Sequence, residues 1–298
     1  MATRHLLQQG AVVRSLIRTG LARPGKTPVA TPGPVLHDHV PPRPHQLVKD
    51  YIRHCGGDPG WYRGTVPAHL FSQWGFPLIT QAMRGVPYDL RRGLNGGCRI
   101  DVHAPLPAGE PLLLAACLED IDDNGKRAVI RTRLTTGTAS TPEAITSWIN
   151  VIVPLPREKG SERPKKKEKP MVPEDALELS RTRLTERHAR SFAALTGDIN
   201  PIHWSGTYAR MAGFRNTILH GFATLGHAVE MLNKNRFSGD PTRLASIDTR
   251  FTSPVVLPAR VGVFLHDEGD TTQIFVGRAP GAPAYLTGTV TDRRDPNG

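Results

Sequence analysis

No stretch of this 298-residue chain approaches the ~20 consecutive apolar residues needed to cross a bilayer, which excludes a spanning helix. Cysteine is scarce: Cys55, Cys98 and Cys117 are odd in number, and no two stand as Cys-x-x-Cys. That excludes a disulfide framework and a paired-thiol zinc site, and points to reduced thiols in a cytosolic compartment. Acid is missing from residues 1–26, which carry Arg4, Arg14, Arg18, Arg23 and Lys26. Residues 156–170 set seven bases against Glu158, Glu162 and Glu168. These two segments hold nine of the eleven excess positive charges. A nucleic-acid domain places its bases on a folded face among stacking and readout residues. Here they lie on a tail and a linker, so no nucleic-acid partner is expected.

What is present fits a globular protein long enough for two domains, 38% hydrophobic and 22% charged. The basic N-terminus is partly amphipathic through Leu6, Val12, Val13, Leu16, Ile17 and Leu21, but lacks the apolar core and cleavage site of a secretory signal. A cytoplasmic location is expected, with the mitochondrial matrix as the alternative.

The chain also repeats itself. Moved forward by 151 positions, His69, Phe71 and Gly75 fall on His220, Phe222 and Gly226, and Asp89 and Arg92 on Asp240 and Arg243. Residues 99–108 fall on 250–259, and Thr136-Gly137-Thr138 on Thr287-Gly288-Thr289. One offset over residues 69–138 indicates a tandem duplication. Each copy reads as one long helix, starting near His69 or His220, followed by strands. These are expected near 96–103, 111–119, 127–136 and 146–153, then 245–252, 259–266, 272–278 and 284–291. The expectation is an α+β fold with a sheet wrapped around each helix.

The copies differ ahead of that helix. Copy two carries Thr196-Gly-Asp-Ile-Asn-Pro-Ile-His203, and at the same offset copy one has Leu47, Lys49 and Ile52 in place of Asp198, Asn200 and His203. Thr185 is suited to cap a helix ended by Gly197, and Ser205 to cap a short one closed by Gly213. Asp198 and His203 then sit in a tight irregular segment, with Asn200 able to orient either. Adding water across a conjugated double bond needs a base for the water and an acid for the α-carbon, which a carboxylate and an imidazole on one water can supply. Gly221 at the helix start offers a free N–H to a developing oxyanion. His220 recurs as His69 in the copy without the pair and reads as structural. A metal site from Asp198, His203, His220 and His227 lacks HxxxH or HxH spacing, so none is expected.

The motif Thr-Gly-Asp-x-Asn-Pro-Ile-His, followed by His-Gly-Phe, resembles the MaoC-like (R)-specific enoyl-CoA hydratases, and the duplication resembles their double hot-dog members. The resemblance implies a hydro-lyase with a pseudo-dimer in one chain and no cofactor. Its substrate would be an acyl thioester of coenzyme A (CoA) or acyl carrier protein. Asp198 and His203 would be the catalytic pair, Asn200 their support and Gly221 the oxyanion donor. The family usually has an acid two residues after the motif histidine, where this chain has Ser205. The expected domains are a basic N-terminal extension (1–39), a degenerate hot-dog (40–155), a linker (156–172) and a catalytic hot-dog (173–298). Phe71, Trp74 and Phe222 are candidates for acyl-chain contact, or else plain core filling. A thioesterase of the same fold and a non-catalytic acyl-binding module are the competing readings, and a homodimer of the whole chain is open.

Overall fold

All eight strands expected from the β-branched and aliphatic runs form, and two more that the periodicity did not announce flank them. The computed structural model describes residues 2–156 and 168–293; most of the expected linker therefore lies outside the described residues. After a 3-10 turn over Ala2–Gln9 comes α1 (Gly10–Leu21). The first lobe runs β1 (Leu36–Val40), α2 (His45–Cys55), β2 (Thr65–Val66), α3 (Ser72–Ala82), β3 (Leu94–Val102), β4 (Leu106–Pro107), β5 (Leu112–Asp123), β6 (Arg127–Gly137) and β7 (Ile145–Pro154). The second runs β8 (Leu177–Leu184), α4 (Glu186–Thr196), α5 (Gly206–Met211), α6 (Gly221–Asn235), β9 (Leu244–Phe251), β10 (Ala259–Glu268), β11 (Thr271–Gly277) and β12 (Ala284–Asp292). None of the described helices is long and apolar enough to cross a membrane.

Ten strands make one sheet in the order β1-β5-β6-β7-β3-β9-β12-β11-β10-β8, while β2 and β4 pair separately. Counted outward from the β3–β9 seam, β7 answers β12, β6 answers β11, β5 answers β10 and β1 answers β8. That is the pseudo-twofold of a duplicated unit. At the seam Cys98 lies opposite Thr249 and Ile100 opposite Ile247. The two long helices cover the sheet, and their starts meet where the Phe71 and Phe222 rings pack edge-on, centroids 5.3 Å apart. Both rings are buried, and burying a side chain of this size contributes about 1.5–3 kcal/mol.

Three expectations need correction. The single offset does not hold across the whole match. Thr136-Gly137 ends β6, whereas Thr287-Gly288-Thr289 lies inside β12, the counterpart of β7. The β5–β6 hairpin is longer than β10–β11, so equivalent strands drift apart in numbering.

The partners assigned to the motif are also out of step. Helices α2 and α4 both end on a left-handed glycine, Gly56 (φ 93°) and Gly197 (φ 83°), which sets Gly57, not Leu47, against Asp198. Asp58 then caps the 3-10 turn Pro59–Tyr62 as Asn200 caps Pro201–His203, so Lys49 and Ile52 are not the counterparts either. From the capping glycine to the conserved-in-both-lobes histidine is 13 positions in lobe one (Gly56 to His69) and 23 in lobe two (Gly197 to His220); α5 occupies the added length.

Nor is the N-terminal segment a free tail. His5, Gln9, Val12 and Ser15 are buried, and β1 pairs with β5, so the first lobe's sheet begins inside the segment expected as an extension. The amphipathic spacing of Val12 and its neighbours was the signal, and it serves docking onto the protein itself.

Candidate active site

The motif segment takes its shape from caps. The Thr185 N–H donates to His188 Nδ1 at 3.0 Å as part of a capping box that starts α4. Gly197 ends that helix, and its backbone is pressed close: a β-carbon there would lie 2.9 Å from those of Gln9 and Val12. The chain turns through Asp198, whose Oδ1 accepts from the Asn200 N–H at 3.4 Å. The Asn200 side chain accepts from the Ile202 N–H at 3.2 Å, which starts the turn that holds His203. Asn200 is thus exposed and shapes the backbone; its side chain bonds the Ile202 N–H, and only its backbone N–H reaches the Asp198 side chain. Ser205 caps α5 by accepting from the Tyr208 N–H at 3.3 Å, as serine in place of an acid allows.

Asp198, His203 and His220 converge. Each brings one oxygen or nitrogen into a group whose atoms lie within 4.8 Å of one another. Asp198 keeps a side-chain exposure of 27%, while both histidines are buried. His203 Nδ1–H donates to the Ile218 carbonyl at 2.8 Å, which leaves Nε2 as the nitrogen able to accept a proton. Its ring stacks on that of His220, centroids 3.5 Å apart and planes inclined by 22°. His220 Nε2–H donates to the backbone carbonyl of Asp198 at 2.9 Å and stands 4.0 Å from Oδ2. Burial pushes His203 below the usual imidazole range against the opposing pull of Asp198. Burial and the neighbouring His203 bring His220 down to about 3, so both rings are neutral at neutral pH. The same three side chains could offer a carboxylate and two imidazoles to a cation, although His220 Nε2 is already committed to the Asp198 carbonyl.

The start of α6 completes the arrangement. The N–H groups of Gly221 and Phe222 have no acceptor among the described residues and lie at the positive end of a 15-residue helix. A β-carbon on Gly221 would lie 2.8–3.0 Å from the Phe251 ring, so only glycine fits without displacing it. Trp74 and Phe71, candidates for acyl-chain contact, are packed in the core, and Trp74 Nε1–H donates to Thr136 Oγ1 at 3.1 Å.

The corresponding place in lobe one is filled from across the lobes, which sequence reasoning missed. Glu230 of α6 is fully buried there. It accepts from Tyr62 OH at 2.7 Å and meets His69 Nε2 at 3.1 Å. Asn233 Nδ2–H donates to both Tyr62 OH and Glu230. A β-carbon on Gly57, the counterpart of Asp198, would lie 2.1 Å from Glu230 Oε2. One signal was legible: Glu230 is the lone acid in α6.

Residues 167–278 match the family model described as MaoC like domain. The chain is 32% identical over 183 residues to the peroxisomal enoyl-CoA hydratase 2 of Arabidopsis thaliana, a match that covers 57% of this chain and 59% of that protein. It is 33% identical over 169 residues to 3-hydroxyacyl-thioester dehydratase Y of Mycobacterium tuberculosis, covering 54% and 57%. The matches therefore span somewhat more than half the length of these relatives. Among solved structures, HtdX of Mycobacterium tuberculosis superposes with a TM-score of 0.68 at 19% identity, covering 86% of this chain and 99% of that one. A double hot-dog protein of the same organism gives 0.56 at 13%, covering 89% and 97%. The chain has the double hot-dog fold, and its second lobe carries the match to the MaoC like domain.

Proposed function

We propose that the second lobe interconverts a trans-2-enoyl thioester and the (R)-3-hydroxyacyl thioester, on coenzyme A or an acyl carrier protein. The observation that carries this reading is the meeting of Asp198 and His203 in one small volume beside the acceptor-free N–H groups that start α6. The names of the relatives, enoyl-CoA hydratase 2 and 3-hydroxyacyl-thioester dehydratase, point the same way.

In this reading Asp198 and His203 hold one water. His203 Nε2 accepts a proton as the water oxygen adds to C3, and the pair returns a proton to C2, so the site ends as it began. Such positioned groups supply factors of about 10²–10⁴ each. Negative charge collects on the thioester oxygen meanwhile, and the Gly221 N–H with the helix dipole stabilises it. Asn200 acts by fixing the turn, and His220 by holding the Asp198 backbone. Water addition to an activated double bond transfers no electrons between molecules and so asks for no redox cofactor.

The test is incubation with crotonyl-CoA, following loss of the enoyl absorbance and, in parallel, release of free thiol. Loss of absorbance without thiol, abolished in Asp198→Asn and giving the (R) product, is expected. Thiol release without hydration would establish a thioesterase instead. Tight acyl-CoA binding with no turnover, unaltered by Asp198→Asn, would establish a binding module.

A further inference from the structure

Four arginines that the mechanism does not use share one groove. It has a volume of about 580 Å³ and runs between α1 and the segment that closes α3. Arg14, Arg18 and Arg23 line it from the N-terminal side and Arg84 from the other, with Asp38 the one acid in its wall. None of the four guanidinium groups forms an ion pair or hydrogen bond among the described residues, although elsewhere Arg4, Arg91, Arg133 and Arg181 are matched with carboxylates. All four are exposed, and their shared positive field favours an anion in the groove. The groove is also built: the chain leaving α1 is pinned across its end by the Gly25 N–H donating to the Val86 carbonyl at 2.9 Å. Pro77, Met83, Val86 and Leu90 add apolar surface to the same lining.

Guanidinium forks together with apolar surface in one groove suit a phosphorylated nucleotide, phosphates on the arginines and base against the carbon atoms. We propose that this groove binds a phosphate-bearing adenine nucleotide, either the terminal nucleotide of a CoA thioester or a free one. The first source rests on the function proposed above, and α1 favours it by its geometry. At its start α1 touches Gly197, the neighbour of Asp198. At about 1.5 Å per residue, Arg18 stands roughly 9 Å beyond Val12 along α1, and Arg23 lies past the end of the helix at Leu21. A pantetheine arm, about as long as four to five extended residues, spans roughly 15 Å. Helix α1 thus measures the distance from acyl group to phosphates.

The experiment is calorimetric titration of the full chain with 3′-phosphoadenosine 5′-diphosphate and with CoA. It compares the wild type, the triple variant Arg14→Gln/Arg18→Gln/Arg84→Gln, and Arg260→Gln, exposed near the start of β10, as a charge control. Binding that weakens at least tenfold in the triple variant, stays in the control, and falls steeply with salt is the expected result. Unaltered affinity in the triple variant, or no binding by the wild type, overturns the site. So does retention on phosphatidylglycerol vesicles without nucleotide binding, which would make the arginines a membrane contact. The two sources separate in kinetics. A raised KM for enoyl-CoA with unchanged turnover of the enoyl-pantetheine thioester marks the carrier's own nucleotide, whereas unchanged kinetics with lost nucleotide binding marks a free one. Because the titration does not depend on turnover, absence of hydratase activity would defeat the proposed reaction and leave this site standing or falling on its own measurement.

Discussion

His203 illustrates how one hydrogen bond selects a chemistry. With Nδ1–H given to the Ile218 carbonyl, the ring presents a lone pair, and burial keeps it neutral below the ordinary histidine range. The acid limb of kcat/KM should therefore lie below pH 6.5; a limb at or above 6.5 would show that another group limits the rate. His203→Ala and Asp198→Asn should each reduce kcat by about 10²–10⁴-fold with the melting temperature little changed. Gly221→Ala adds a β-carbon within 3.0 Å of the Phe251 ring. It should lower kcat by roughly 10²–10³-fold, the scale for loss of an oxyanion donor, and steady-state kinetics on a thioester would read it. At this scale the motif was legible: acid, asparagine and histidine at fixed spacing marked the segment. The stacking of His220 on His203 was not, because it depends on where α6 is placed; the Asn200 cap is local and was missed because the same side-chain oxygen could serve backbone or side chain.

Between elements, the two lobes use the same frame differently. Lobe two inserts α5 between its capping glycine and its second histidine. Lobe one closes the corresponding space with Glu230 from the opposite long helix. Removing that carboxylate leaves Tyr62, His69 and Asn233 buried without their acceptor, a loss of about 3–5 kcal/mol for a broken buried pair. Glu230→Ala should thus melt well below the wild type in a thermal scan, with specific activity of the folded fraction retained; an unchanged melting temperature would remove Glu230 from this role. The strands and both long helices were legible because burial imposes their periods. The comparison between copies went astray ahead of the helix, since a search without gaps cannot see a ten-residue insertion.

For the molecule as a whole, buried histidines set an acid limit on stability. His54 is pushed down to about 4, by burial first and then by His188 and His227, and His220 to about 3. In the unfolded chain these rings take up protons near 6.5, so below that pH the unfolded state binds more protons than the folded one. Stability present above pH 6.5 is then lost as the pH falls, by up to about 1.4 kcal/mol per pH unit for each ring. Melting temperatures across pH 4.5–8 should show this decline, and it should be shallower in His54→Gln; a flat profile would contradict the buried neutral state.

The ten-stranded sheet has a further consequence. Its outermost members, β1 and β8, are where a foreign strand could add. One is five residues long, shows His37, Asp38 and His39 to solvent and runs into Pro41-Pro42; the other carries Glu178, Arg181 and Arg183. Short length, charge and proline are the usual defences against edge-to-edge growth. By joining its two halves through the interior strands β3 and β9, the duplicated chain keeps the long hydrophobic strands inside the ten-stranded sheet and leaves its two outer margins guarded against a foreign strand.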